Sequence, residues 1–435
     1  MRALIVETGF SRGALAAVRA LAAAGWEVGV GAPAGAGLAS SSRYRRRRHL
    51  VPAAHEDRDA FLTAVRRAVR DHGYDVVFGA GEAEVLALSL LRDQVGAIVP
   101  HAGHRQVVRA IDKQELSEAA ESVGILTARA LDPSTLAPSA PDPSTLDPST
   151  PDPSAPDPSA PDPSTLDPST PDPSAPGPSA PDPSTLGPSA PDPSALAGER
   201  PPLVVKSRLH AHPERPGAPP RIDTLVVPGP EAARRRVDEV RRLGGEPRVE
   251  EFHEGRLMAY AAVTAVGGRV VCDCMQVASR IWPPGAGASC RAETVRVDPA
   301  ISGRAARLLA ALGWFGLAQL QFVVPEDGRP RLIDLNGRFY GSMALATAAG
   351  ANLPAAWAAL AVGHDVPPTR ARPGVRYQWL EGDLRRAAVE RRRGLLLDLA
   401  GTLRFAAGAV HSTLSLRDPA PALARIRAMA AARVR

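Results

Sequence analysis

Residues 132–195 are built from five-residue repeats such as Asp-Pro-Ser-Thr-Leu and Asp-Pro-Ser-Ala-Pro. Proline at this density removes backbone hydrogen-bond donors and excludes a helix, and the repeat has too few large apolar residues to build a core. We therefore expect this segment to be a disordered insertion. The folded structure must then come from the residues before it and after it.

The chain is long enough for more than one hydrophobic core. Its 435 residues, 44% of them hydrophobic, exceed what a single core usually holds. No uncharged apolar run of about 20 residues occurs, and Glu7 makes the N-terminus acidic before a signal-peptide core could form. We therefore predict a cytoplasmic protein of two or three structural units. We expect the three cysteines, Cys272, Cys274 and Cys290, to be small buried residues, because they are too few for a disulfide framework.

The chain is basic, with a formal net charge of +6, and residues 43–48 are rich in arginine. Contact with nucleic acid is one interpretation of this pattern. However, basic residues are spread along the whole chain, and an aromatic content of 4% is too low for base-stacking platforms. We expect residues 43–48 to form a solvated basic surface, and a nucleic-acid-binding module is kept as an alternative.

Lysine is nearly absent from this basic composition. Of the 52 Lys+Arg residues, only Lys113 and Lys206 are lysine. Lysine carries a compact ammonium group on a flexible side chain, whereas the guanidinium of arginine is a planar fork. A retained lysine therefore suggests a site that needs the compact ammonium. Chance retention at two neutral positions is the alternative, and the surrounding motifs decide between the two.

The first hundred residues alternate between strand-like and helix-like patterns. Strands are predicted at residues 3–6, 27–30 and 75–78, and helices at residues 14–24, 59–70 and 83–91. This alternation indicates a parallel sheet covered by helices. The turn after the first strand lacks a complete G-x-G-x-x-G, so a dinucleotide site is a weak interpretation. An acceptor-substrate site at the strand ends, around residues 8–12 and 79–84, is the competing one.

The most informative polar residues lie in a predicted β-hairpin whose strands are joined by a polar turn at residues 325–330. A turn centred on its Asp-Gly pair places Gln321 opposite Asp334 and Gln319 opposite Asn336. Residues two apart share a face of a strand, so these oxygen donors point the same way. Such donors suit magnesium that carries nucleotide phosphates. A polar solvent-facing strand is the alternative.

The end of this hairpin, IDLNGRFYGS at residues 333–342, resembles the signature of ATP-grasp enzymes: an acidic residue, an asparagine two positions later and a nearby arginine. Three other segments are similar to the same family and follow in the family's order. These are IDK at residues 111–113 at the start of the domain, LVVK at 203–206 in its next strand, and VEEFHEG at 249–255 in its adenine hinge. The resemblance covers residues 106–365 apart from the repeat.

The resemblance implies nucleotide-binding roles for several residues. Lys113 and Lys206 would contact the ATP phosphates, with Lys206 near the purine as well. Glu250, Glu251 and Phe252 would contact adenine through their backbone, with a glutamate reaching the ribose. Ordinary strand-end charges are the alternative for the two glutamates.

The other implied site residues are the magnesium ligands Gln321, Asp334 and Asn336 and the catalytic arginines Arg280 and Arg338. Arg280 would lie near the phosphates, and Arg338 would steady the transferred phosphoryl group or the acyl-phosphate. The glycine-rich residues 283–289 would form a lid, for which a plain flexible loop is the alternative.

The chain departs from the family at Gln321, where the usual residue is glutamate or aspartate. Glutamine still offers an oxygen ligand, but the loss of one negative charge should weaken the binding of a second magnesium. An ATP-binding protein of the same fold with little or no ligase activity is therefore an alternative. A biotin-carboxylase-like carboxylation is another.

The motifs together predict α/β and α+β architecture. Its parts are a Rossmann-like pre-ATP-grasp domain at 1–105, a two-subdomain ATP-grasp domain at 106–131 and 196–365, the disordered insertion at 132–195 and a C-terminal extension at 366–435. The implied activity is an ATP- and Mg²⁺-dependent ligase that joins a carboxylate to an amine-type nucleophile through an acyl-phosphate. We expect these small molecules as partners, rather than nucleic acid or a membrane. The oligomeric state is left open, a homodimer included.

Overall fold

The structure is a computed structural model that describes residues 1–33, 37–136, 201–209, 222–390 and 394–434. The repeat from residue 137 onward, predicted as a disordered insertion, lies outside the described residues. Within the described ranges the strands form three sheets. No helix in these ranges is both long enough and apolar enough to cross a membrane.

The N-terminal unit is a parallel sheet covered by helices. Its strands are β1 (Arg2–Val6), β2 (Glu27–Ala32), β3 (Arg45–Leu50) and β4 (Val76–Gly79), and its helices are α1 (Arg12–Ala23), α2 (Leu38–Ser41), α3 (Arg58–His72) and α4 (Glu82–Leu90). Along β1, Ile5 packs in one core while Leu4 and Val6 pack in another. A strand buried on both faces has to be apolar throughout, as this one is. The predicted Rossmann-like architecture is confirmed.

The strand order in this sheet is β3-β2-β1-β4, and all neighbours are parallel. The chain moves outward from β1 to β3 and then returns on the other side of β1 as β4. In open α/β sheets, ligands bind in the crevice outside the carboxyl ends of the strands where the order reverses in this way. That crevice lies here between the ends of β1 and β4, and we call it the switch-point crevice.

The basic run at residues 43–48 contributes most of β3, which stands at one end of the described sheet. Arg46, Arg47 and Arg48 are exposed, as predicted. Charged side chains on an end strand discourage pairing with another chain. The strand itself was not predicted, because it lacks apolar alternation and its conformation depends on backbone pairing with β2.

Two helices and a short strand follow: α5 (His104–Ile111), α6 (Lys113–Ser122) and β5 (Leu126–Thr127). The boundary between the helices is set by Asp112, whose side chain accepts hydrogen bonds from the backbone N–H groups of Gln114 and Glu115. This is the hydrogen-bond pattern of an N-cap. It makes Lys113 the first residue of α6.

The second sheet is small and antiparallel. Its strands are β6 (Ala130–Leu131), β7 (Leu203–Ser207), β8 (Leu225–Val227) and β9 (Pro247–Glu251), in the order β6-β9-β7-β8, and α7 (Gly229–Arg242) covers one face. Val205 and Val249 pack against that helix. Because side chains alternate along a strand, Lys206 and Glu250 lie on the opposite face.

The small unit extends into the predicted insertion. Residues Pro133–Leu136 form a 3-10 turn, and Leu136 is buried in the core beneath α7. The carbonyl of Leu136 accepts a hydrogen bond from Arg234 Nη1 at 2.7 Å. The predicted start of the insertion at residue 132 is therefore too early, because this leucine of the repeat has a core in which to bury its side chain.

The third sheet is the largest. Its strands and the helices around them are β10 (Arg256–Thr264), β11 (Val270–Trp282), β12 (Ala288–Val295), α8 (Pro299–Ala311), β13 (Gly316–Val324), β14 (Arg331–Asn336), α9 (Met343–Ala348), α10 (Leu353–Ala361), β15 (Thr369–Arg370), β16 (Arg376–Gln378), α11 (Leu380–Glu390), α12 (Leu395–Ala406), β17 (Ala409–His411) and α13 (Ala420–Val434). The order is β17-β16-β12-β11-β10-β13-β14-β5, and β15 pairs with β11. Cys272, Cys274 and Cys290 lie in this sheet, buried and free, as expected.

The C-terminal residues take part in this sheet. Strand β16 pairs with β12, and β17 pairs with β16. Both strands fall within the range 366–435 that was predicted as an extension. The predicted boundary at residue 366 therefore crosses a shared sheet, and the domain limits stay a prediction.

Candidate nucleotide and metal site

The predicted hairpin is formed by β13 and β14. Gln321 lies opposite Asp334 and Gln319 opposite Asn336, which is the predicted register. The Asn336 side-chain amide donates to Gln319 Oε1 at 3.4 Å. The neighbouring Leu335 points into the core with the other face of the sheet. The four polar side chains therefore share one face.

Lys113 connects α6 to this polar face. Its side chain is 4% exposed, and its ammonium forms an ion pair with Asp334 Oδ1. The same Asp334 oxygen also accepts the backbone N–H of Leu335 at 2.9 Å. A lysine predicted to hold phosphate and an aspartate predicted to hold magnesium are thus neighbours.

Lys206 lies on the polar face of the small sheet. Its ammonium forms an ion pair with Glu250 Oε2 at 2.7 Å, and Arg248 Nε contacts the other oxygen of Glu250 at 2.6 Å. Burial lowers the pKa of Lys206, Glu250 opposes this effect, and the positive charge of Lys113 lowers the pKa further. The two lysines therefore lie close enough for their charges to interact.

A clamp that sequence reasoning missed holds the two lysines together. Arg208 Nε donates to both carboxylate oxygens of Asp112, at 3.0 and 2.9 Å. In addition, the backbone N–H of Lys113 donates to the Arg208 carbonyl at 3.1 Å. The clamp fixes the start of α6 to the end of β7. Asp112 directly precedes Lys113, and Arg208 lies two residues after Lys206. This proximity in sequence was the signal that could have identified the clamp.

The residues of the predicted adenine hinge have different surroundings in the structure. Glu250 is buried and belongs to the lysine cluster. Glu251 lies on the other side of β9, where its carboxylate contacts Arg129 at 3.3 Å and its backbone N–H donates to the Arg129 carbonyl. Phe252 follows the strand end and is partly exposed. The backbone N–H of Glu251 is therefore already used within the sheet.

Arg280 lies in a buried cluster with the C-terminal helices. Its Nη1 donates to Asp383 Oδ1 at 2.8 Å, and its Nη2 contacts Glu390 at 3.2 Å. Arg291 donates to the other oxygen of Asp383 at 2.6 Å. Arg280 therefore has a structural role in this cluster. Its role near the phosphates stays a prediction.

The glycine-rich residues 283–287 form the turn between β11 and β12. Gly285 has φ of +81°, and a Cβ added there would lie 3.3 Å from Val226 of β8. The turn from the large sheet therefore rests against the small sheet. A segment in this position could cover a ligand held between the two sheets.

Arg338 follows β14 and reaches the N-terminal unit. Its charge acts on the buried Glu84 of α4, where it lowers a carboxyl pKa that burial raises to about 7. The next residue, Phe339, packs against Phe78 with ring centroids 5.3 Å apart. A Cβ on Gly13 would lie only 2.7 Å from the carbonyl carbon of Phe339. The loop that carries Arg338 therefore lies at the switch-point crevice.

The polar face offers oxygen donors for a magnesium ion. Asp334 supplies one carboxylate, while Gln321 and Asn336 supply amide oxygens on the same face. The described residues contain no group of three or more His, Cys, Asp or Glu that could hold a metal. Magnesium usually binds through one or two carboxylates together with substrate phosphates. The residues therefore fit magnesium that is held jointly with a nucleotide.

A separate cavity of about 440 Å³ is lined by Arg2, Glu27, Arg47, Tyr74 and their neighbours. Arg2 and Glu27 are the first residues of β1 and β2, so this cavity lies at the amino ends of the parallel strands. Ligands of such sheets bind at the carboxyl ends. We therefore place the candidate site at the lysine cluster and not at this cavity.

Comparison with known proteins found one matching family model. Residues 276–383 match the family model described as "ATP-grasp in the biosynthetic pathway with Ter operon". A search of curated proteins found no match.

Three solved structures illustrate the similarity of fold. The biotin carboxylase domain of Hydrogenobacter thermophilus 2-oxoglutarate carboxylase, in complex with MgADP, ADP and bicarbonate, has 11% identity and a TM-score of 0.57, over 86% of this chain and 73% of that chain. The L-amino acid ligase from Bacillus licheniformis has 13% identity and a TM-score of 0.51, over 83% of this chain and 74% of that chain. An N5-carboxyaminoimidazole ribonucleotide synthetase in complex with ADP has 13% identity and a TM-score of 0.54, over 90% of this chain and 85% of that chain. The chain thus shares the fold of these structures, and its residues 276–383 match an ATP-grasp family model.

Proposed function

We propose that this protein is an ATP- and Mg²⁺-dependent ligase that joins a carboxylate to an amine-type nucleophile through an acyl-phosphate. The observation that carries the proposal is the meeting of four motifs from distant parts of the chain. Lys113, Lys206, Glu250 and Asp334 come together in two ion pairs whose lysines interact with each other. Lys113, Lys206 and Glu250 are buried, and Asp334 is partly buried.

The nucleotide would lie between the polar faces of the small and large sheets. Lys113 and Lys206 would contact its phosphates, because buried ammonium groups form strong charge-assisted hydrogen bonds with phosphate oxygens. Their ion pairs with Asp334 and Glu250 keep the two like charges in place without nucleotide. The complexes of the similar proteins with MgADP and ADP support this assignment. The hinge residues Glu251 and Phe252 would adjoin the base.

Asp334, Gln321 and Asn336 would hold magnesium. Bound there, the ion would neutralise charge on the nucleotide phosphates. The chain's own residues then have distinct tasks. Lys113 orients the carboxylate of Asp334, and the Asn336–Gln319 contact fixes the amide beside it.

The reaction would proceed in two displacements. A carboxylate oxygen of the substrate attacks the γ-phosphorus of ATP, the bond to ADP breaks, and an acyl-phosphate forms. The amine nitrogen then bonds to the acyl carbon, the carbon–oxygen bond to phosphate breaks, and phosphate leaves while the nitrogen loses a proton. Lys113, Lys206 and Arg338 would stabilise the negative charge on the transferring groups, which is the main source of catalysis in phosphoryl transfer. Arg280 is the further predicted contributor.

The test is release of ADP from ATP and Mg²⁺ in the presence of pooled carboxylates and pooled amines. The proposal predicts ADP release that needs both pools and is lost in Lys206→Met. Turnover that depends on biotin and bicarbonate would instead support carboxylation. Nucleotide binding without any ADP release would support an ATP-binding protein of the same fold without ligase activity, and would contradict the proposal.

A further inference from the structure

Two buried carboxylates lie at the switch-point crevice. Glu7 directly follows β1, and Glu84 lies in the first turn of α4, just after β4. Their relative exposures are 3% and 2%. Burying two carboxylates side by side is costly unless something compensates for their charge. Neither residue has a part in the nucleotide site described above.

Each carboxylate uses one oxygen to hold the start of a helix. Glu7 Oε2 accepts the backbone N–H of Ser11, the N-cap residue of α1, at 3.2 Å. Glu84 takes a hydrogen bond from the backbone of Gly81, the N-cap residue of α4. The other oxygen, Oε1 in both residues, is buried and has no hydrogen bond of ordinary geometry among the described residues, although the backbone N–H groups of Ala39 and Ser40 lie near enough to Glu7 to lower its pKa. A buried acceptor without a donor is a position where a ligand can supply one.

The protonation of the pair supports the same interpretation. Burial raises the pKa of Glu7 to about 8, and the negative charge of Glu84 adds to the rise, while the backbone N–H groups of Ser11, Ala39 and Ser40 oppose it. Burial raises the pKa of Glu84 to about 7, while backbone N–H groups and the charge of Arg338 lower it. Groups with pKa values of about 7 and 8 exchange protons near neutral pH, the range in which general acid–base catalysis operates.

The crevice adjoins the proposed acyl-phosphate site. The loop after β14 brings Arg338 within electrostatic reach of Glu84. The same loop touches α1, since a Cβ on Gly341 would lie 2.9 Å from the guanidinium of Arg12. One loop therefore connects the metal-facing hairpin with Glu84 and with α1, whose N-cap residue Ser11 is bound to Glu7.

We propose that Glu7 and Glu84 form the acceptor site, which binds a primary amine in its ammonium form through their free oxygens. The catalytic part of this inference rests on the proposed ligase function. One carboxylate takes a proton from the ammonium, and the neutral nitrogen then bonds to the acyl carbon. As the carbon–oxygen bond to phosphate breaks, the second carboxylate takes the proton that the nitrogen loses.

Binding can be tested without turnover. The probes are the amides of the twenty common amino acids, which carry an ammonium but no α-carboxylate, and the matched controls are their N-acetyl derivatives. Binding is measured by titration with detection by NMR or thermal shift, in wild type, Glu7→Gln and Glu84→Gln. Glutamine keeps the shape and one acceptor oxygen, so each variant can still hold its helix start. Asp71→Asn, an exposed carboxylate in the same domain, is the control variant.

We expect at least one amide to bind wild type and Asp71→Asn with equal affinity. Its affinity for Glu7→Gln and for Glu84→Gln should be about tenfold lower. The N-acetyl form of the same amide should not bind. Equal affinity in all variants, or no amide binding to wild type, would overturn the proposal. Amide binding with this pattern in a protein that releases no ADP would support the acceptor site and refute the ligase reaction. The two proposals therefore fail separately.

Discussion

Replacing Lys206 with methionine should weaken the binding of ATP by roughly 2 to 4 kcal/mol, because a buried charge-assisted contact with phosphate is lost. This corresponds to an increase in Kd of about 30- to 1,000-fold. The effect on folding should be smaller. Removing one partner of a buried ion pair usually costs about 3–5 kcal/mol, because the other charge is left alone. Glu250 keeps Arg248 at 2.6 Å, so we expect a loss of only about 1–2 kcal/mol in the free energy of unfolding.

The assay is calorimetric titration with a non-hydrolysable ATP analogue in magnesium, together with urea unfolding of each variant. Arg235→Met is the matched control, because it removes a positive charge from the exposed side of α7 in the same small unit. Lys206→Arg should restore binding only in part, since the guanidinium is bulkier and differently shaped. Unchanged affinity in a folded Lys206→Met protein would refute the assignment of this lysine to the nucleotide.

Three further predictions follow from other parts of the structure. Asp334→Asn should abolish detectable magnesium binding in the presence of the ATP analogue, whereas Gln321→Glu should tighten magnesium binding. No change in either variant would show that this face is not the metal site. Arg208→Gln should lower affinity for the analogue about tenfold without changing magnesium dependence, because it breaks the clamp to Asp112 that orients both lysines. The folded state binds the Glu7 proton more tightly than the unfolded state does, so the contribution of Glu7 to stability should fall as pH rises from 4.5 to about 8. Relative to wild type, Glu7→Gln should therefore be more stable at pH 9 than at pH 5, and an equal difference at both pH values in urea unfolding would contradict this.

Local patterns predicted much of the fold. The helix predicted at residues 59–70 is α3, which Asp57 caps at its start and Gly73 ends with φ of 60°. The predicted register matches the polar pairs of the hairpin. The pairs beside the turn, Phe322–Leu332 and Val323–Arg331, are offset by one residue from that register, because an unpredicted β-bulge lies between Gln321 and Phe322.

Other features depended on contacts between distant segments, which a single sequence does not display. The ion pair between Lys113 and Asp334 joins residues far apart in the chain. The buried cluster around Asp383 draws on two strands, β11 and β12, and on helix α11, and it gives Arg280 partners that no local pattern indicates. Likewise, the burial of Glu7 depends on α2 and on Glu84, so its raised pKa could not be inferred from the residues beside it.

The central claim is that the cluster of Lys113, Lys206 and Asp334 holds the phosphates of ATP with magnesium. A crystal structure of the protein with Mg²⁺ and a non-hydrolysable ATP analogue tests this claim most directly. We predict phosphate oxygens within hydrogen-bonding distance of both lysine ammonium groups, and magnesium coordinated by Asp334. An analogue bound in the cavity beside Arg2 and Tyr74, or one whose phosphates contact neither lysine, would contradict the account.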